Sequence, residues 1–473
     1  MAKAVSTRRG GLDGYFGITE RGSSIRSEVI AGFTTFMTMA YILFLNPLIL
    51  SAPDRTGTRL EPAAVLTVTA LAAGITTLAM GAYAKYPFAI AAGLGLNAVV
   101  ANQLVATNGL TWEEAMGVIV VEGIIILILV LTKFRQAVMD AVPLPLKHAI
   151  PVGIGLFITI IGLVDAGFAT ATTLPNPPLT LGNGGELRGW PVVVFVIGLL
   201  LTIFLYTRRI RGALLFGILA TTVIAIIVNN AFLDGEGFGG AANLDKVAEF
   251  PSGDNFSLIG NFSFGFFAEL GILAAVLAIF SIMLSDFFDT MGTAIGLGRE
   301  AEMLDAQGRL PGVDRVLLVD SAAAAVGGAF SASSNTTYIE SASGIAEGGR
   351  TGLTAVVVGV LFLLSIFFSP LANVIPFEAA APALVIVGFL MMTVVREIPW
   401  DDVEVAIPAF LTIVVMPFTY SITNGIGAGF VSYVFIKATR GKAGEVRPMM
   451  WVAAAAFVVY FAIFYVRDVL GVN

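Results

Sequence analysis

The chain has 473 residues, of which 57% are hydrophobic and only 12% charged, about half the charged share of an ordinary soluble domain. With a mean hydropathy of +0.90 and repeated long apolar runs, this composition predicts an all-α polytopic membrane protein and excludes soluble enzymes, nucleic-acid binders and secreted disulfide scaffolds. The net charge of -7 offers no partner surface for a polyanion, and with no cysteine and a single histidine neither a metal site nor a cofactor is expected.

The first 28 residues are polar and the first apolar run, 29–50, is long enough to span, so a retained rather than cleaved segment is expected. Further hydrophobic segments follow at 64–84, 88–106, 113–132, 148–165, 190–206 and 212–229. After a polar stretch come 265–294, 315–330, 335–347, 351–369, 378–396, 403–419, 421–437 and 449–466. Basic residues set the orientation. Arg8, Arg9, Arg21 and Arg26 precede the first span, and Lys85, then Lys133 and Arg135, then Arg208, Arg209 and Arg211 fall in alternate loops. Arg299, Arg309 and Arg315, then Arg350, Arg396, Lys437, Arg440 and Lys442 continue the alternation, which predicts a cytoplasmic amino terminus. The Gly-, Asp- and Asn-rich stretch 230–261 then lies outside, as a linker between two halves. Seven segments precede it and eight follow; the surplus is assigned to 449–466, a helix beyond the repeat.

Segments 88–106 and 331–349 do not read as ordinary spans. Each joins a small-residue or β-tolerant stretch to a short helix-like one, and each is the third segment of its half. Corresponding interruptions of this kind predict an inverted repeat of discontinuous helices meeting at mid-membrane. Half-helix amino termini there offer free N–H groups to a polar substrate.

Intramembrane acids are the sharpest chemical signal, because such residues cost ~3 kcal/mol or more to insert. Asp286 and Asp289 stand three apart, on neighbouring positions of one helix face, and Glu340 opens the second broken segment. Close buried carboxylates resist double ionisation and so suit proton coupling. The plainer alternative is that they hydrogen-bond helix termini or threonine hydroxyls. Gly93 and Gly95 allow close backbone approach, and Asn97 carries an amide that both donates and accepts, which fits the edge of a flat heterocycle or a simple cap. Thr336 and Thr337 are caps or ligands. Glu122, with no partner to name, is read equally as a polar helix contact or a transport residue, Asp320 and Glu347 as capping or gate residues near the cytoplasmic ends, and His148 as interfacial. Trp112, Trp190, Trp400 and Trp451 fall near segment ends, as an aromatic belt requires. The run Gly348-Gly349-Arg350-Thr351-Gly352 has the look of a phosphate loop but lacks its Lys-Ser/Thr ending and preceding strand.

The runs Thr38-Met39-Ala40-Tyr41-Ile42 with Asn46-Pro47, Gly93-Leu94-Gly95-Leu96-Asn97-Ala98, Ser285 to Thr293, and Thr337 to Ser341 continuing to Gly352 resemble the AzgA-type adenine, guanine and hypoxanthine permeases of the nucleobase transporter superfamily. The resemblance runs from about residue 12 to the end. It implies a 7+7 inverted repeat divided into core and gate domains, an elevator motion of the core, and substrate held between the third, eighth and tenth segments. On that plan 1–28 is a cytoplasmic terminus, 29–132 and 265–369 form the core, 133–229 and 370–440 the gate, 230–264 an extracytoplasmic linker, and 441–473 a carboxyl-terminal segment with an extra helix. Substrate binding falls to Gly95, Asn97, Asp289, Glu340 and Thr337, and proton coupling to Asp286, Asp289 and Glu340. Asp289 is taken as nearer the substrate on the resemblance alone.

The expected function is import of purine bases by proton symport across the cell inner membrane, with the purine, a proton and the lipid bilayer as partners and no enzymatic activity. Whether it works as a homodimer stays open, as do the preferred purine and sodium in place of the proton. A same-fold carrier of xanthine, uracil or an anion is the first alternative, although three acids around a site repel an anion. A membrane aspartyl protease needs paired aspartates on separate helices and a Gly-x-Gly-Asp motif, which this chain lacks. No repeated filter or charged ring supports a channel.

Overall fold

The computed structural model describes residues 11–132, 141–171, 179–244, 246–305 and 310–470, the side chains of Phe288 and of 463–470 apart. Of the basic residues used for orientation, Arg8, Arg9, Lys133, Arg135 and Arg309 lie outside the described residues. The fold is mostly helical. Among the described residues, nine helical spans are long and apolar enough to cross a membrane, and three shorter apolar helices accompany them.

The first span is α1 (Ile25–Met39) and α2 (Ile42–Ile49), broken at Ala40 and Tyr41, followed by α3 (Pro62–Ala79). The third segment is strand β1 (Ile90–Ala92), the short helix α4 (Leu94–Ala98) and a wider turn to Thr107. Then come α5 (Trp112–Leu131), α6 (Leu144–Asp165), α7 (Trp190–Thr207) and α8 (Ala213–Phe232), with β2 (Ala169–Ala171) and β3 (Leu179–Leu181) between α6 and α7. The second half runs α9 (Ile272–Glu300), α10 (Val313–Ala329), β4 (Asn335–Thr337), α11 (Ser341–Ala346), α12 (Gly352–Ser365), α13 (Phe377–Met392), α14 (Val403–Phe418) and α15 (Ile422–Thr439). The expected surplus segment is present as α16 (Pro448–Leu470).

The helices pack in two sets. α5 packs on α10, α12 on α1 and α3, and α11 on α1; α6 packs on α13 and α14, α14 on α15, and α7 and α8 on each other and on α13. Small residues make the close approaches possible. A Cβ at Gly123 of α5 would stand 2.3 Å from the Ala325 backbone nitrogen of α10, and one at Gly388 of α13 would stand 2.4 Å from the Gly155 carbonyl of α6. Between the sets the contacts are few. On one side Gln103 accepts from the Ile422 backbone N–H at 2.9 Å and donates to the Thr423 hydroxyl at 2.6 Å, capping α15. On the other, Arg211 forms an ion pair with Glu347, just beyond α11.

One expectation needs correction. Trp112 does not join an outward aromatic belt: it is buried, because its indole N–H donates to the Ala52 carbonyl at 3.1 Å and draws the ring beneath the loop before α3. Trp190, Trp400 and Trp451 are exposed as expected. In the stretch 230–261, α8 runs on to Phe232, and the Ala242 and Glu249 N–H groups bond the Val374 and Phe367 carbonyls, each at 2.9 Å.

Candidate functional site

The two broken segments meet. β1 and β4 pair antiparallel with Ile90 opposite Thr337, Ala91 opposite Thr336 and Ala92 opposite Asn335. Bonds from the Gly93 N–H to the Ser334 carbonyl and from the Tyr338 N–H to the Ala89 carbonyl, both 2.9 Å, extend the ladder at its ends. This pairing satisfies backbone groups that neither segment could satisfy alone in an apolar setting. The helices α4 and α11 leave the crossing at their amino termini.

A cavity opens here. Its walls are Tyr41 from the break between α1 and α2, Gly93 and Gly95, Asp289 of α9, Thr337, Tyr338 and Glu340, and on the far side Val387 and Met391 of α13. An adjoining cavity shares Gly93, Gly95, Asp289 and Met391 and is closed by Ile150 and Ile154 of α6. Lining therefore comes from both helix sets. The Tyr41 hydroxyl donates to Oε1 of Glu340, and the Tyr338 hydroxyl donates to the Ala92 carbonyl at 2.5 Å. Their ring centroids are 6.5 Å apart. Gly95 could not be larger here, since a Cβ would stand 2.6 Å from Cγ2 of Ile154.

Of the residues singled out from the sequence, Gly95, Asp289, Thr337 and Glu340 converge on the cavity, whereas Asn97 and Asp286 are absent from both walls. Asn97 is fully buried in α4, one turn beyond Gly93, with neither amide atom hydrogen-bonded. Asp286 is buried and lies within reach of Glu122 of α5 and of the Thr336 hydroxyl. Thr337 reaches the cavity, but its hydroxyl donates to Asp320 at 2.7 Å.

Asp320 is the residue that sequence reasoning misplaced. Asp320 is not an end cap. It is buried in α10 and takes the Thr337 N–H at 2.8 Å, the Thr337 hydroxyl and, at 2.7 Å, the Thr290 hydroxyl of α9. The β4 strand brings these donors to it, because the outer edge of a two-stranded ribbon leaves N–H groups unpaired. Glu122, whose partner the sequence could not name, stands beside Asp286 and accepts from the Ser334 hydroxyl at 3.5 Å. Tyr41 was quoted only as part of a motif, and nothing in an apolar run marks it as the partner of Glu340. As expected for an interfacial residue, His148 lies 3.5 Å from Glu397 and is partly exposed.

The run Gly348 to Gly352 does start a helix with free N–H groups, and the protein fills that anion site itself. Glu28 of α1 accepts from the Arg350, Thr351 and Thr354 N–H groups at 3.0–3.3 Å and from the Thr354 hydroxyl at 2.6 Å. Among the described residues no cluster of acids or histidine is arranged to hold a metal ion.

Chemically, the cavity offers two carboxyl groups between aromatic and apolar walls. Among the described residues no Lys, Arg or His pairs with Asp289 or Glu340. Such a site accepts hydrogen bonds from the N–H edges of a flat, uncharged ligand and repels an anion.

Comparison with known proteins gives a consistent outcome. The model of the Permease family designated Xan_ur_permease matches residues 26–471. The guanine/hypoxanthine permease PbuG of Bacillus subtilis is 38% identical over 454 residues, covering 94% of this chain and 98% of the relative. The adenine permease AdeQ of Escherichia coli is 39% identical over 455 residues, covering 96% of each. Among solved structures, the transmembrane domain of the cyanobacterial bicarbonate transporter BicA superposes with a TM-score of 0.60 at 17% identity over 85% of this chain and 97% of that one. The inward-facing murine anion transporter Slc26a9 gives 0.63 at 11% identity over 93% and 74%. These two likenesses concern the fold.

Proposed function

Because the chain belongs to this permease family and is an integral membrane transporter rather than an enzyme, we propose that it imports purine nucleobases by proton symport. The observation that carries the reading is the pair Asp289 and Glu340, facing one cavity at the crossing of the two broken segments. Glu340, held by Tyr41, accepts from purine ring N–H groups; Asp289 takes a second N–H; the tyrosine rings and Met391 supply the flat apolar contacts. Gly95 keeps the backbone close, Thr337 positions the β4–α11 turn, and the Asn97 amide, which lines neither cavity, acts on base preference through the Gly93–Gly95 wall. The coupling proton resides among Asp286, Asp289 and Glu340.

The two helix sets act as core and gate, each drawn from both halves of a 7+7 repeat. Glycine-tight packing within each set and sparse contact between them support a rigid core that slides past the gate and carries the substrate in elevator fashion. The protein lies in the inner membrane with its amino terminus in the cytoplasm, on the alternation of basic loops. The fold likeness to anion transporters raises an anion substrate as a second reading, which the cation-free cavity disfavours.

The test is uptake of labelled hypoxanthine, guanine and adenine into proteoliposomes under an imposed pH gradient, with and without a protonophore. Accumulation abolished by the protonophore, and competed by purines more strongly than by uracil, is expected. Uptake of bicarbonate or another anion in place of the bases overturns the proposal.

A further inference from the structure

Outside the cavity, buried acidic groups gather in the space between α5, α9, α10 and β4. There Glu122 of α5 and Asp286 of α9 stand as neighbours where the two helices pack together. Both residues are buried, at 0% and 1% exposure, and neither lines the substrate cavity. One oxygen of each, Oε1 of Glu122 and Oδ1 of Asp286, has no hydrogen-bond partner. The Ser334 hydroxyl donates to Glu122 at 3.5 Å, and Thr336 stands beside Asp286.

Two neighbouring carboxyl groups can hydrogen-bond to one another only through a proton, since ionised carboxylates only accept. Burial without a counter-ion makes the doubly ionised pair far costlier than one carboxylic acid beside one carboxylate. The other titratable groups facing the pair add negative charge or none. They are Asp320 from α10 and Asp289 from α9; Glu340 with the Tyr41 and Tyr338 phenols neighbours Asp289 rather than the pair. Among the described residues no Lys, Arg or His is an ion-pair partner of any of these acids.

We infer that Glu122 and Asp286 form a proton-binding site that holds one shared proton, separate from the cavity that takes the base. The pair is joined to the cavity by hydroxyls. Thr336 stands beside Asp286 and donates to the Thr290 hydroxyl at 2.7 Å, which donates to Asp320, which in turn anchors Thr337 at the cavity wall. Occupancy of the base site and protonation of the pair can therefore influence each other through β4 with no direct contact between base and proton. This assignment rests on the symport reading for its transport role, but not for the existence of the shared proton. It also moves the partner of Asp286 from Asp289 to Glu122.

Two measurements test it. Infrared difference spectroscopy of the purified wild-type protein at neutral pH, with isotope exchange, reads the carbonyl stretch of a protonated buried carboxyl. A band that is present in the wild type and lost or shifted in both Glu122→Gln and Asp286→Asn is expected. A wild-type spectrum with no such band overturns the site whether or not the variants fold. In proteoliposomes, Glu122→Gln fixes a donor where the proton would bind. Exchange of labelled base across the membrane should persist, while accumulation driven by a pH gradient falls at least tenfold. If Glu122→Gln accumulates base with the wild-type proton stoichiometry, the coupling role fails. If wild-type uptake itself proves independent of protons, the symport reading fails, and the infrared band still decides the shared proton.

Discussion

Tyr41 shows how much a single hydroxyl can contribute. It reaches Glu340 from the break between α1 and α2, so the carboxylate is oriented by a helix distant in sequence. Tyr41→Phe keeps the ring and removes the donor; a hydrogen bond to a charged group is worth about 1.5–3 kcal/mol, so base affinity should fall at least tenfold by calorimetry. Unchanged affinity would mean that Glu340 is held by other contacts or does not bind the base. Asn97 poses a different question, because its buried amide has no partner at all. If it reads the base, Asn97→Ala should flatten the preference among hypoxanthine, guanine and adenine in competition assays. Asn97→Ser restoring full uptake with unchanged preference would mark it as a simple capping residue.

Among the elements, α12 depends on a partner from the other end of the chain. Glu28 satisfies the N–H groups that open it, and Glu28→Gln would turn one acceptor oxygen into a donor aimed at other donors. The expected cost is about 2–3 kcal/mol, read as a lower melting temperature in detergent with base affinity retained in the folded fraction. The loop between α2 and α3 is tied in a similar way by Asp54. Burial pushes its carboxyl up, but hydrogen bonds from the Thr56 hydroxyl and from the Thr56, Trp112 and Thr58 N–H groups outweigh this and hold it below the usual range. A carboxyl lowered on folding stabilises above its unfolded pKa and loses that contribution as pH falls through the folded one. Melting curves recorded from neutral pH down to about 3 should therefore show acid destabilisation that is smaller in Asp54→Asn. Much of this level was legible in advance. Apolar runs marked nearly every span, and the small-residue stretches at 88–106 and 331–349 marked β1 and β4. What could not be read was reach across the chain: Asp320 is close in sequence to Arg315 and so reads as an end residue, yet β4 folds back onto it. The β2–β3 hairpin was missed because its strands are only three residues each and their Thr and Leu side chains merge with the neighbouring loop.

For the whole molecule, motion of one helix set past the other must break the few contacts that join them. The ion pair of Arg211 with Glu347 is partly exposed and worth at most about 1 kcal/mol, so it can open at little cost. The chain has no cysteine, and a bifunctional thiol reagent acting on Arg211→Cys with Glu347→Cys should arrest uptake while leaving base binding intact, with reductive cleavage of the linker restoring it. Continued uptake by the cross-linked protein would argue against sliding at this face. The β1–β4 ladder has a consequence of another kind, for biogenesis. Ala92 and its ladder partner Asn335 are 335 − 92 = 243 positions apart, so at about 5–20 residues per second the ribosome delivers the second strand on the order of 10–50 s after the first. Throughout that interval β1 is in the bilayer with its ladder unmade, where bare N–H and carbonyl groups cannot be left facing lipid. The first half must therefore wait in a protected, partly inserted state, and a chain truncated after α8 should be degraded in the membrane unless the second half is co-expressed to close the ladder.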